Sequence, residues 1–346
     1  MFGPTPLPRT LDASLRDAAS DDAKVRASAF ADLARHPLVE GLTRTRTVSA
    51  LERGILREDD ARVRMAAIMA VADLEATELV PALLFACEDD VPFVGELAVR
   101  TLGELGDGRA LPKVRRLLDD DRPALRYQAV AAWSRLPHAS VEERLSPILA
   151  AFRRADEHRE VRLMVLRVID EVVERGALVD APHDLDKVLR EALEDDSTAL
   201  LAAIVLAKLG DAEGRRVVGG FVNRRPLPGT VPTEDDREAI LVAGRFRWVE
   251  LLPALLRRAR GIGRFLADTC ATEALVSLAA LGDTKALAEL ERMIQKARGP
   301  NLDALALLCA RARVTAASKW LDDRGSAGPV VAEALDELRS NGLEKA

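Results

Sequence analysis

Leu102–Leu136, LGELGDGRALPKVRRLLDDDRPALRYQAVAAWSRL, is one copy of a unit that the chain repeats. Three copies align at a constant offset of 31 residues: Val63, Val94 and Leu125 match, as do Ala67, Ala98 and Ala129, then Val71, Leu102 and Trp133, then Leu74, Leu105 and Leu136. On a helix of about 3.6 residues per turn these positions fall within roughly 80° of arc, so they form one apolar stripe. That stripe marks the second helix of each unit. Ahead of it, Pro81 and Pro112 stand in register, followed by Leu83 and Val114, then Cys87 and Leu118. Proline, with its fixed φ and no N–H, suits a first helical turn and opens the first helix. Between the helices lie Asp59, Asp90 and Asp121, again in register, which read as N-caps of the second helix. A helix, an acidic turn and a second helix at a period near 31 define an α-solenoid, in which each pair buries its stripe against its neighbours.

The run LGELGDGRALPKVRRLLDDD with LRYQAVAAWSRL resembles the HEAT-repeat pattern, in the short form of the phycobilisome lyase-like (PBS lyase HEAT-like) repeat family. LGD recurs at Leu209–Asp211 and at Leu281–Asp283, which extends the resemblance over most of the chain. The architecture expected is all-α: a right-handed α-solenoid of about nine HEAT-like helix pairs. Proteins similar in this way are mostly scaffolds and adaptors, with a minority of lyases, hydroxylases and DNA-repair enzymes, so the resemblance speaks to fold far more than to activity.

A solenoid is one body whatever its length, and the 346 residues are expected to divide into an extended arm over 1–10, a single array over 11–340 and a frayed tail over 341–346. Hydrophobic residues make up 48% of the chain, enough for a continuous core, and aromatics only 3%, which fits closely packed Ala- and Leu-rich helices rather than a deep aromatic pocket. The formal charge of −6 disfavours bulk nucleic-acid binding. The start, MFGPTPLPRT, has neither a basic n-region nor an apolar h-region, and no segment is long enough and apolar enough to span a membrane. Three cysteines without pairing or CxxC spacing agree with a cytoplasmic location.

Arg26, Arg64, Arg126 and Arg162 occupy one repeat position beside the acidic turns, with Gly95 replacing the arginine in one unit. They read as a structural ladder of charge-assisted bonds. Opposite the apolar stripe lie Met65, Ile68 and Met69, then Glu96 and Arg100, then Tyr127, the single tyrosine. Either neighbouring units cover these positions, or they line the concave face as contacts for a partner. The stretch 215–264 carries eleven arginines against five acids, a local +6, which leaves −12 for the remainder. Arg245, Arg247, Arg257, Arg258, Arg260 and Arg264 are therefore expected to meet an acidic partner, and Trp248 to stack if that partner is a nucleic acid. The proline-rich loop 226–232 is a secondary candidate.

Catalysis finds little support. His36, His138, His158 and His183 are scattered and none begins a His-Glu pair, the arrangement by which HEAT-repeat hydroxylases hold their di-iron centre. Cys87 and Cys270 align with buried positions. No metal or cofactor is expected. The chain reads as a non-enzymatic scaffold that binds a protein partner, with a monomer favoured; the alternatives are a nucleic-acid-binding or repair protein, or a phycobilin-lyase-like enzyme.

Overall fold

The Leu-Gly-Asp motif is where one hairpin stops and the next begins. Gly106, Gly210 and Gly282 adopt φ of 62°, 83° and 88°. A residue without Cβ takes that left-handed conformation freely, and it ends the second helix of the pair. The aspartate that follows then starts the next helical segment: Asp107 accepts the N–H of Arg109, Asp211 that of Gly214, and Asp283 that of Ala286. Three other hairpins end in the same conformation on residues that are not glycine, Glu75, Arg247 and Arg313, at φ of 50°, 55° and 56°.

A computed structural model describes residues 9–38, 41–154, 157–176, 178, 181–224, 231–259, 268–324 and 328–343. Among these residues there are twenty α-helices, three short 3-10 turns and no strand. They pair in chain order: α1 (Leu11–Asp17) with α2 (Ala23–Leu33), α3 (Leu42–Leu56) with α4 (Ala61–Asp73), α5 (Val80–Ala86) with α6 (Pro92–Leu105), α7 (Leu111–Leu117) with α8 (Pro123–Arg135), and α9 (Val141–Phe152) with α10 (Arg159–Glu174). There follow α11 (Leu185–Glu194) and α12 (Ala199–Lys208), α13 (Ala212–Asn223) and α14 (Glu234–Arg245), α15 (Leu252–Ala259) and α16 (Ala271–Ala280), α17 (Thr284–Lys296) and α18 (Pro300–Arg311), and α19 (Ala317–Asp322) and α20 (Pro329–Leu343). This makes an α-solenoid of ten helix pairs where about nine were expected, because the helix over AGPVVAEALDELR has a partner in α19. That last helix also runs to Leu343, into the segment expected to fray.

The chain divides into two compact units, Met1–Val188 and Leu189–Ala346. In the first unit α2, α4, α6, α8 and α10 pack one on the next, each also against its own first helix. The shared stripe lies between them: Val63, Ala67, Val71, Val94, Ala98, Leu102, Leu125, Ala129 and Trp133 are all buried. Each large aliphatic side chain so buried contributes about 1.5–3 kcal/mol. The approach of these helices is close, since a Cβ on Gly103 of α6 would lie 2.6 Å from the Cα of Ala132 on α8. In the second unit α12, α14, α16, α18 and α20 form the corresponding layer, and Gly244 of α14 meets Ser277 of α16 at the same 2.6 Å.

Two expectations shift locally. Asp59, Asp90 and Asp121 are not the caps: Asp60 caps α4 by accepting the N–H of Arg62, whereas α6 and α8 open on Val91 and Arg122 with no side-chain cap, and Glu58, Asp89 and Asp120 accept the N–H groups of Asp60, Val91 and Arg122 within the turns. Residues 9 and 10, the described end of the expected extended arm, are tied to the first hairpin. Thr10 caps α1, and Arg9 donates to Asp17 at 2.9 Å, to Asp32 at 2.7 Å and to Ser28 at 2.8 Å, while residues 1–8 lie outside the described residues.

Candidate functional site

Arginines stitch successive hairpins together, and this determines which of them are left for a partner. Arg26 of α2 holds Glu58 in the next turn at 2.7 Å, Arg64 of α4 holds Asp89 at 2.8 Å, and Arg126 of α8 holds Glu157 at 2.8 Å. In each case another N–H of the same guanidinium donates to two carbonyls of its own turn, Ser20 and Asp21, Glu58 and Asp59, or Asp120 and Asp121. One side chain thus ties its own turn and the next. The carboxylates respond: Arg26 holds Glu58 below the usual range, and burial of Asp89 works against its charge but is outweighed by Arg64 and the Val91 N–H together. Gly95 stands in the arginine position of α6, where a Cβ would press on the Cys87 carbonyl at 3.1 Å, and Asp120 is taken by Arg122 instead. Arg126 and Glu157 are almost wholly buried, so the ladder is part of the scaffold.

The outward stripe of α4, α6 and α8 is an exposed face of the first unit. Met65 and Met69 on α4, Glu96 and Arg100 on α6 and Tyr127 on α8 lie on it, at matching positions of three helices packed side by side. Met69 is 51% exposed, while Met65, Glu96 and Tyr127 are half-buried. Arg100 is exposed and pairs with Glu104 at 3.3 Å. Ile68 is not on this face. It is fully buried, like its counterparts Val99 and Val130, because one step around the helix from Met69 points it into the layer between neighbouring second helices. Phe93, at the start of α6, belongs to the face and was missed by sequence reasoning; it is 69% exposed. Its counterparts are Arg62 and Ala124, so no repeat signal marks it.

The basic segment of the second unit is largely spent on the fold. Trp248 is 4% exposed and packs in the core, its ring under the Arg215 guanidinium at 5.2 Å and 6.3 Å from Phe246, so it offers no free face to a base. Arg215 also pairs with Glu250, Arg216 with Glu213, and Arg237 with Glu273. Arg258 is buried, 3.5 Å from Asp268 and above the ring of Phe221, because it anchors α15 rather than facing outward. Arg245 is half-buried over Phe246 at 5.5 Å. Arg257 is exposed and donates to Asn223 at 3.3 Å, and Arg247 is exposed with no side-chain hydrogen bond or ion pair among the described residues. Arg260, Arg264 and most of the 226–232 loop lie outside the described residues.

The three cysteine thiols are withdrawn from solvent. Burial pushes the thiols of Cys87 and Cys309 up to about 12 and that of Cys270 up to about 11, far from a reactive thiolate. Among the described residues no group of three His, Cys, Asp or Glu side chains could hold a metal ion, and no helix is long and apolar enough to cross a membrane.

The HEAT-repeat family matches residues 48–134 and 92–170, the segment that holds the regular hairpins and the exposed face. That match spans 123 of the 346 residues. Beyond this HEAT block the same helical pairing continues in both directions. No curated protein matches the chain in sequence. Among solved structures, a chain of a homology model of the full-length AP-3 complex is 10% identical, with 96% of this chain and 69% of that one covered at a TM-score of 0.53. At that identity the likeness is one of fold alone. The Escherichia coli protein YibA is 13% identical over 84% of this chain and 99% of its own, at a TM-score of 0.47. The CpcE and CpcF complex of phycocyanin lyase from Nostoc is 17% identical over 89% and 97%, at a TM-score of 0.35.

Proposed function

We propose that this protein is a non-catalytic cytoplasmic scaffold or adaptor, and that its HEAT block binds a protein partner on the exposed, concave face of α4, α6 and α8. The observation that carries this reading is the pair Phe93 and Met69, two large apolar side chains more than half exposed on one face. Met65 and Tyr127 add adaptable and amphipathic contact area beside them, and Glu96 and Arg100 supply a polar rim. Such a surface binds through a few well-placed anchors within many modest contacts. The basic segment contributes a second, smaller contact to an acidic region of the partner through Arg247 and Arg257, the two candidate arginines that are exposed among the described residues.

Affinity capture from the source cells tests the reading. The wild-type chain is expected to retain a partner in stoichiometric amount, which Phe93→Asp combined with Met69→Asp releases. Arg247→Glu with Arg257→Glu is expected to weaken retention less. Retention indifferent to the Phe93 and Met69 substitutions removes the proposed face.

A further inference from the structure

Charge on the HEAT block is distributed in a way the fold does not require. Residues 1–188 hold 27 lysines and arginines against 33 acids, a net of −6, whereas residues 189–346 hold 23 of each. The excess is concentrated: from 65 to 99 there are seven acids and no lysine or arginine. Glu78, Glu88 and Asp89 are taken by Arg44, Lys113 and Arg64, and Asp90 lies 3.2 Å from Arg64. Asp73, Glu75 and Glu96 have no ion pair or side-chain hydrogen bond among the described residues. Two of these sit where charge is least welcome. Asp73 and Glu75 lie at the C-terminal end of α4, whose carbonyl pole is already negative, and Glu75 also holds a left-handed φ of 50°.

These carboxylates flank the apolar anchors. Asp73 continues the α4 stripe one turn beyond Met69, and Glu96 follows Phe93 by one turn on α6. Neighbouring second helices lie about 8–10 Å apart, close to the roughly 10 Å that separates residues i and i+7 on a helix laid across them. An acidic partner would be repelled by Asp73 and Glu75, and by Glu96, which Arg122 offsets only through space. Building on the face proposed above, we infer that the HEAT block takes a basic amphipathic helix of its partner: the apolar side meets Phe93, Met69 and Tyr127, and its lysines or arginines meet Asp73, Glu75 and Glu96. The helix-in-groove mode supplies both halves of the match, apolar anchors at helical spacing and cations along their margin.

A short synthetic peptide of lysine and leucine in amphipathic helical order serves as probe, read by fluorescence anisotropy against the full-length protein. The same residues in scrambled order and a glutamate and leucine counterpart serve as controls. The ordered basic peptide is expected to bind tightest. Phe93→Ala with Met69→Ala should weaken it about tenfold, the effect of losing a central anchor. Asp73→Asn with Glu75→Gln should weaken it severalfold and flatten its salt dependence, while Lys296→Ala, at the exposed end of α17, leaves it unchanged. All of these side chains are at the surface, and an unchanged melting curve for each variant checks its fold. Equal binding by the scrambled or acidic peptide, or by every variant, overturns the inference. If cellular capture still depends on Phe93 and Met69 in that event, the face stands and only its basic partner falls; if capture is also indifferent, both fall.

Discussion

Arg247 and Gly210 hold equivalent places at the ends of α14 and α12, and they show what one Cβ does in this fold. At φ near +55° a side chain crowds the following carbonyl, a strain of about 1–2 kcal/mol that glycine does not feel. Arg247→Gly is therefore expected to raise stability by about 1 kcal/mol in denaturant titrations, and Gly210→Ala to lower it by a similar amount, although nothing lies within 4 Å of the added carbon. His138 carries a different kind of information. Its Nε2–H donates to the Trp133 carbonyl at 2.7 Å, its ring packs on that indole, and its Nδ1 is buried without a partner. Burial pulls its pKa below the ordinary 6.5, so the unfolded chain takes up a proton first as pH falls. Stability is expected to be full above pH 6.5 and to decline below it, a slope that His138→Phe should reduce; titrations in urea across that range measure it. Residues of this kind were only partly legible in the sequence. Gly210 was visible in its motif, but the burial of Trp248 and Arg258 depends on hairpins that approach only after folding.

Pairs of helices were the most legible level. The offset of 31 residues located both helices of the regular units because a stripe that faces one neighbour must recur wherever that neighbour recurs. The caps were misread because each turn holds two or three consecutive acids and what selects among them is spatial: Asp60 caps α4, whereas α6 and α8 open on Val91 and Arg122 with no side-chain cap. Glu58 and Asp89 accept a local N–H and also receive the arginine of the preceding hairpin, two tasks that only one residue in each turn is placed to perform. Where that ladder is most buried it should matter most. Glu157→Gln removes a buried counter-charge of Arg126 and is expected to cost about 3–5 kcal/mol, whereas Arg62→Ala, which removes an exposed pair with Asp60, should cost far less. Comparing the two by thermal or chemical denaturation separates a structural ladder from surface decoration. Gly103→Ala tests the closeness of the layer, since its new carbon would force α6 away from α8. A loss of about 1–3 kcal/mol is expected, and a smaller one would mean that the layer yields readily.

Stacked repeats ordinarily feel only their nearest neighbours, so stability adds up along the stack and ends can fray independently. The second unit departs from that rule. Glu238 on α14 accepts Lys208 of α12 at 3.0 Å and Arg311 of α18 at 2.6 Å, so one carboxylate joins three second helices and reaches past α16, and α14 and α18 also touch directly. Lys208 is almost fully buried in this arrangement, which makes the junction more than a surface pair. Repeat periodicity could not reveal it, because a contact two repeats away leaves no mark at an interval of one. Its consequence is cooperative: α18 should open together with α14 rather than fray from the end. Native-state hydrogen exchange with increasing denaturant is expected to show α12, α14 and α18 converging on one opening free energy in the wild type. Arg311→Met should split them, with α18 and α20 opening at lower denaturant while α12 and α14 keep their protection. Exchange in the same order and at the same denaturant in both proteins would show that the link to Glu238 carries no coupling, and that the second unit is an ordinary nearest-neighbour stack.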